Sequence, residues 1–239
     1  MEKTLDGIRD IKLYQNSNGY RFSADALLLA SFVNVKHAKD IIDLGAGSGV
    51  IGLLLAKKYA AARVLLLELQ ETLYRLAETN TRMNGLEARV SAVMSDIRDI
   101  PGKLQPMTFD LAVSNPPFRK ATSGRISIGQ EKAVARHELR IKLPDLAESA
   151  SYLLKARGRF FMIYHPERII EVIDALRAQR LEPKRIRFVH NDIDTGSKIV
   201  LIEAVKEGRA GIKIERPLFM YNKDGSYSEE VRDMYECGG

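Results

Sequence analysis

Cysteine is almost missing from this chain: among 239 residues there is one, Cys237. A single thiol excludes an intrachain disulfide framework and suits a reducing cytoplasm. No apolar run approaches the ~20 residues needed to cross a bilayer. The N-terminus, Met1-Glu2-Lys3-Thr4-Leu5-Asp6, carries acids where a signal peptide has its apolar core. The expectation is a soluble, cytoplasmic protein. Internal repeats, low-complexity tracts and an interdomain linker are also missing. One domain over residues 1–239 is therefore expected, with an entry segment and helix at 1–36, a core at 37–206 and a C-terminal extension at 207–239. No metal requirement is expected.

What is present is globular. Hydrophobic residues make up 45% and charged residues 28% of the chain, enough to bury a core without staples. The net charge is +6 and the pI about 9.3. A basic balance favours a polyanionic partner when the cations cluster near the chemistry.

Apolar runs alternate with helix-length stretches. Strands are expected at Asp40–Leu44, Arg63–Glu68, Arg89–Met94, Phe109–Ser114, Arg159–Tyr164, Arg185–His190 and Ile199–Val205. Several are nearly all apolar, as strands covered on both faces are. Helical patterns lie between them at Gly49–Lys58, Glu71–Asn84, Leu143–Lys155 and Pro166–Gln179. The alternation predicts an α/β fold with a doubly wound, mostly parallel seven-stranded sheet. Two stretches break the rhythm. Arg119–Gln130 reads as a basic loop, and the tail from Gly211 combines a short strand, a turn at Asn222–Gly225 and a helix at Ser228–Tyr235.

The first core strand runs into Asp43-Leu44-Gly45-Ala46-Gly47-Ser48-Gly49 and then a helix. Glycines allow a tight reversal and let backbone approach a ligand closely. Glu68 ends the second strand, where a carboxylate can accept both hydroxyls of a ribose; Leu69 follows it. Ser95-Asp96-Ile97 follows the third. Asp96 there can accept an adenine amino group with Ile97 against the ring, and it equally suits a turn or helix cap. A glycine-rich turn alone is shared with NAD and FAD enzymes. Acids at three successive strand ends suit a cationic ligand better than a pyrophosphate, and S-adenosylmethionine carries a sulfonium and an ammonium. The expected cofactor residues are Asp43, Gly45, Ala46, Gly47, Ser48, Gly49, Glu68, Leu69, Asp96, Ile97 and Asn115. From Asp40 to Val205 the combination resembles the class I, Rossmann-like S-adenosylmethionine-dependent methyltransferases.

The fourth strand ends in Asn115-Pro116-Pro117-Phe118. Two prolines remove two backbone donors and fix φ twice, giving a stiff turn. The Asn115 side-chain oxygen and the Pro116 carbonyl can each accept a hydrogen from a substrate –NH2 and hold its nitrogen toward the methyl donor. Phe118 offers a face for stacking a planar group. Asn115, Pro116, Pro117 and Phe118 are the expected catalytic residues. This motif resembles that of amino methyltransferases acting on adenine N6, guanine N2 or glutamine amide nitrogen.

The expected substrate-binding residues are Phe22, Asp25, Arg119, Lys120, Arg136 and His137. Asp25 near a helix start is also an ordinary dipole-favoured acid. Four segments together, Arg21–Ala30, Asp43–Gly49, Asn115–Phe118 and Tyr227–Tyr235, resemble the bacterial tRNA1(Val) adenine-N6 methyltransferase family. The resemblance implies an adenine beside the anticodon of a valine tRNA as substrate. Guanine N2 in rRNA and glutamine N5 in a protein stay open as alternatives. Many members of the family have Tyr where this chain has Phe118, which keeps the stacking face and loses a hydroxyl.

Overall fold

The computed structural model describes residues 3–16, 24–116 and 142–236. The chain begins with strands β1 (Lys3–Ile8) and β2 (Ile11–Asn16), then helix α1 (Ala24–Phe32). The core follows as β3 (Asp40–Leu44), α2 (Val50–Lys58), β4 (Arg63–Glu68), α3 (Glu71–Met83) and β5 (Val90–Met94). After a single turn of helix α4 (Ile100–Lys103) come β6 (Phe109–Ser114), α5 (Leu143–Leu153), β7 (Leu154–Tyr164), α6 (Ile169–Ala178), β8 (Leu181–His190) and β9 (Ser197–Lys206). Two short strands, β10 (Lys213–Ile214) and β11 (Leu218–Phe219), and helix α7 (Glu229–Glu236) complete it.

The seven core strands lie in the order β5-β4-β3-β6-β7-β9-β8. The pairs from β5 to β7 are parallel, and β9 is antiparallel to both its neighbours. The chain steps outward from β3 to β4 to β5, then returns to place β6 on the other side of β3. That reversal opens a crevice beyond the carboxyl ends of β3 and β6, where such sheets take ligands.

Both faces of the sheet are covered, so neighbouring residues along one strand enter opposite cores. Ile41, Leu111, Val113, Phe161 and Ile163 pack with α1, α2 and the hairpin. Ile42, Leu44, Ala112, Phe160 and Met162 pack with α5 and α6. Alternation with apolar residues at both phases is what gives the strands their near-continuous apolar runs. Helix α2 is buried from Val50 through Ala56, enclosed by the sheet, α1 and β2. Each fully buried leucine or isoleucine contributes about 1.5–3 kcal/mol relative to exposure.

Three strands, β7, β8 and β9, begin earlier than their apolar runs, β9 at Ser197 by two residues. β7 starts at Leu154 through the polar stretch Lys155–Gly158, with its pairing to β6 irregular between Phe109 and Leu111. β8 starts at Leu181 because a register shift between Pro183 and Arg185 accommodates the proline. Helix α5 accordingly ends at Leu153, before the expected Lys155. β10 and β11 extend the sheet beyond seven strands by pairing in parallel with the outer edge of β8.

The β1–β2 hairpin was not expected within the entry segment. Its turn, Arg9-Asp10, is not a strong turn sequence, and Arg9 takes φ 52°. Ile8, Ile11 and Leu13 bury its inner face. Arg9 Nε donates to the Met234 carbonyl at 2.6 Å and its Nη2 to Ser31 Oγ at 2.9 Å, tying hairpin, α1 and α7 together. No helix among the described residues is long and apolar enough to cross a membrane.

Candidate active site

The glycine loop connects β3 to α2. The amides of Gly45 and Ala46 both donate to the Leu67 carbonyl at 2.9 Å, which turns the chain over the end of β4. Gly45, Gly47 and Gly49 have φ of 75°, 58° and 87°. At Gly49, left-handed backbone is combined with a close approach: an added Cβ would lie 3.0 Å from Leu66 Cδ1 and 3.4 Å from Ala77 Cβ. Gly52 is tighter still, since its Cβ would sit 2.1 Å from Leu66 Cδ2. This bareness lets α2 rest against β4 and brings the Gly52 amide within 3.0 Å of Asp43 Oδ2.

Asp43 is fully buried at the end of β3. Its Oδ2 is held by Gly52, but its Oδ1 has no hydrogen-bond partner. Burial raises its pKa from 3.8 to about 7; the Gly52 amide opposes the rise and the charge of Glu68 adds to it. Glu68 is 6% exposed. Its Oε2 accepts from the Gly47 amide and its Oε1 from the Gln70 amide, each at 2.8 Å. Burial raises the Glu68 pKa too, against the pull of the Gln70, Gly47 and Leu69 amides. Neither acid forms an ion pair among the described residues. A carboxylate offers about four lone-pair sites, so beyond these amides Glu68 can still accept a further donor. Two buried carboxylates and an orphaned acceptor beside glycine backbone fit a ligand bearing positive charge and hydroxyls.

At the neighbouring strand, Ser114 is fully buried and its Oγ donates to the Leu44 carbonyl at 2.7 Å. The last backbone pair between these strands is Asp43 with Val113, so the serine carries the pairing one residue further. Gly45 and Asn115 therefore leave adjacent strands side by side. Asn115 is half-buried and Pro116 buried.

Asp96 is engaged locally. Its Oδ1 accepts the Arg98 amide at 2.8 Å, capping the short turn Ile97–Asp99, and its two oxygens meet Arg98 Nε and Nη2 at 3.0 and 2.6 Å. The hydrogen bond from the Arg98 side chain holds the carboxyl below the usual range. Ile97 is 4% exposed in the core on the α5 side, where its carbonyl accepts from Ser149 Oγ. Ala46 and Ser48 lie half-buried in the loop and Leu69 half-buried beyond β4. Asp25 is half-buried in the first turn of α1, the position a helix dipole favours for an acid. Pro117, Phe118, Arg119, Lys120, Arg136, His137 and Phe22 lie outside the described residues.

Two residues beside the loop escaped the sequence reading. One is Ser114, whose partner is a backbone carbonyl on another strand. The other is Asn80 on α3, fully buried, whose Nδ2 donates to the Ser48 carbonyl at 2.9 Å. The available signal was a polar residue on the apolar face of α3 marked by Leu76 and Ala77.

The model of the methyltransferase small domain family matches residues 21–142. A tRNA1(Val) (adenine(37)-N6)-methyltransferase of Porphyromonas gingivalis is 30% identical over 181 residues, 73% of this chain and 70% of that protein. One from Bacteroides fragilis is 25% identical over 237 residues, covering 98% and 99% of the two chains. Among solved structures, a predicted O-methyltransferase of Agrobacterium tumefaciens aligns with a TM-score of 0.72 at 24% identity, covering 88% of this chain and 95% of that one. A geranyl diphosphate C-methyltransferase of Streptomyces coelicolor, solved with S-adenosyl-L-homocysteine, aligns with a TM-score of 0.55 at 16% identity over 77% of each chain. These two share the Rossmann-like class I methyltransferase fold.

Proposed function

The chain belongs to the methyltransferase small domain family and is an S-adenosylmethionine-dependent methyltransferase, and from this we propose that it methylates the exocyclic N6 amine of an adenine in tRNA, in tRNA1(Val) beside the anticodon. The observation that carries the reading is the pairing of two strand ends. The Ser114–Leu44 bond sets Asn115-Pro116 beside a glycine loop lined by Asp43 and Glu68. The names of the relatives support the choice of tRNA and of adenine N6.

S-adenosylmethionine, when bound, supplies an electrophilic methyl group on a sulfonium. Asp43 would meet its positive charge, with Oδ1 as the free acceptor, and Glu68 would take ribose hydroxyls through its remaining acceptor capacity. Gly45, Ala46, Gly47, Ser48 and Gly49 would form the floor beneath it, and Leu69 would pack beside it. Asp96 would contribute through the one lone pair of Oδ2 that Arg98 leaves open while capping its own turn, and Ile97 through the shape of the wall.

On the substrate side, Asn115 Oδ1 and the Pro116 carbonyl accept the two hydrogens of the amine. This draws the nitrogen lone pair out of conjugation and fixes the direction of attack. The same acceptors stabilise the positive charge that builds on nitrogen, and one of the two protons then leaves to solvent. Pro117, by its fixed φ, would stiffen the motif, and Phe118 would supply the stacking face. In this reading Phe22 and Asp25 would belong to the substrate entry, and Arg119, Lys120, Arg136 and His137 would meet RNA phosphate or the displaced base.

The test is transfer of labelled methyl from S-adenosylmethionine to tRNA, rRNA and protein fractions of cells lacking this enzyme. Label is expected in tRNA. Label confined to rRNA or protein would overturn the substrate assignment.

A further inference from the structure

We infer that Asn80 is a positioning residue for the cofactor loop, coupling the β1–β2 hairpin to the glycine backbone through one buried side-chain amide. The inference rests on the reading of that loop as the S-adenosylmethionine site.

The hairpin pairs Ile8 with Ile11, Asp6 with Leu13 and Thr4 with Gln15, which points the backbone groups of Lys12 and Tyr14 outward along the free edge. Among the described residues no third strand pairs with this edge beside α3. Two asparagines one helical turn apart take the place of that strand. Asn84 Oδ1 accepts the Lys12 amide at 2.9 Å while its Nδ2 donates to the Lys12 carbonyl at 2.7 Å. Asn80 Oδ1 accepts the Tyr14 amide at 2.7 Å while its Nδ2 donates to the Tyr14 carbonyl at 3.2 Å.

Asn80 does something Asn84 does not. Its second Nδ2 hydrogen reaches the Ser48 carbonyl at 2.9 Å, from a side chain that is fully buried. The Ser48–Gly49 peptide is planar, so fixing this carbonyl fixes the Gly49 amide, which donates to Ala46 across the loop at 2.9 Å. The tilt of the loop is thereby set from outside it. Asparagine is among the weaker helix formers and costly to bury, and here both amide hydrogens and the oxygen are used. Any ligand that needs the loop in this shape favours the docked hairpin, and by reciprocity the docked hairpin favours the ligand.

Three substitutions test this by calorimetry with S-adenosylmethionine, steady-state kinetics on tRNA and amide exchange of residues 3–16. Asn80→Ala removes the tie and is expected to raise the dissociation constant and KM for S-adenosylmethionine about tenfold, with kcat within about threefold of the parent. Asn80→Asp keeps the shape but sets an oxygen against the Ser48 and Tyr14 carbonyls, so it should bind more weakly than Asn80→Ala. Asn84→Ala should loosen the hairpin yet leave the dissociation constant within about twofold. S-adenosylmethionine should slow exchange at Tyr14 in the parent and not in Asn80→Ala.

A packing role would reverse the order, with the isosteric Asp better than Ala, and that result would overturn the inference. Equal loss of affinity in Asn80→Ala and Asn84→Ala would also overturn it. Absence of S-adenosylmethionine binding in the parent protein would instead overturn the reading of the loop on which the inference rests.

Discussion

The Gly47 amide donates to Glu68 Oε2 at 2.8 Å, so the turn after β3 and the carboxylate ending β4 form one hydrogen-bonded unit. Glu68 thereby shapes the loop it faces before any ligand arrives. Glu68→Ala leaves the half-buried Gly47 amide and the exposed Gln70 amide without their acceptor, so the loss falls at the lower end, about 1 kcal/mol, of the cost of an unmade hydrogen bond. The expected outcome is a lower unfolding midpoint together with at least tenfold weaker S-adenosylmethionine binding. Thermal unfolding and calorimetry on the same preparation check both.

Asp43 gives the ligand-free protein a pH dependence of definite sign. Its folded pKa, about 7, lies above the unfolded value of 3.8, so the folded state keeps a proton that the unfolded chain has released. The stability this proton contributes is complete below about pH 4 and is lost as pH rises toward 7. Glu68, also raised, acts in the same direction. A cationic ligand favours the ionised carboxylate, so S-adenosylmethionine affinity should rise between pH 5.5 and 7.5, with proton release on binding. Asp43→Asn should flatten the stability profile, leave the ligand-free protein more stable than the parent at pH 7.5, and weaken binding at least tenfold. Affinity that falls with pH in the parent would contradict this.

Gly52→Ala tests the packing beneath the loop. The new Cβ meets Leu66 Cδ2 at 2.1 Å between a fully buried leucine and a buried helix. Overpacking of this kind costs about 1–3 kcal/mol. Denaturant unfolding should show that loss. The double variant with Leu66→Ala should be less destabilised than the sum of the two single changes, because the leucine that clashes is gone.

These features differ in how far the sequence discloses them. Strands β3, β4 and β6 were legible to the residue, because each is an apolar run closed by a polar or glycine signal at Asp43–Gly45, Glu68 and Asn115. The hairpin was not, because its turn lacks a turn signature and its outer edge is held against α3 by Asn80 and Asn84, distant in sequence. Asp96 satisfied two descriptions at once, ligand acceptor and cap; the cap is visible in its bond to the Arg98 amide. Ser114 and Asn80 act on backbone carbonyls of other elements, and a single sequence holds no trace of such partners.

The basic residues Arg119, Lys120 and Arg125 carry the prediction about substrate. Replacing all three by alanine should raise KM for tRNA at least tenfold and reduce the steepness of its salt dependence, with S-adenosylmethionine affinity unchanged. Kinetics across a salt series distinguish this from a protein substrate, for which neither parameter should move.

The most direct measurement is nucleoside analysis of tRNA after incubation with S-adenosylmethionine and either the parent enzyme or Asn115→Ala. The account predicts N6-methyladenosine from the parent, and a loss of at least a hundredfold in rate from Asn115→Ala that far exceeds any loss of cofactor affinity. N2-methylguanosine as the product, or an Asn115→Ala enzyme as fast as its parent, would contradict it.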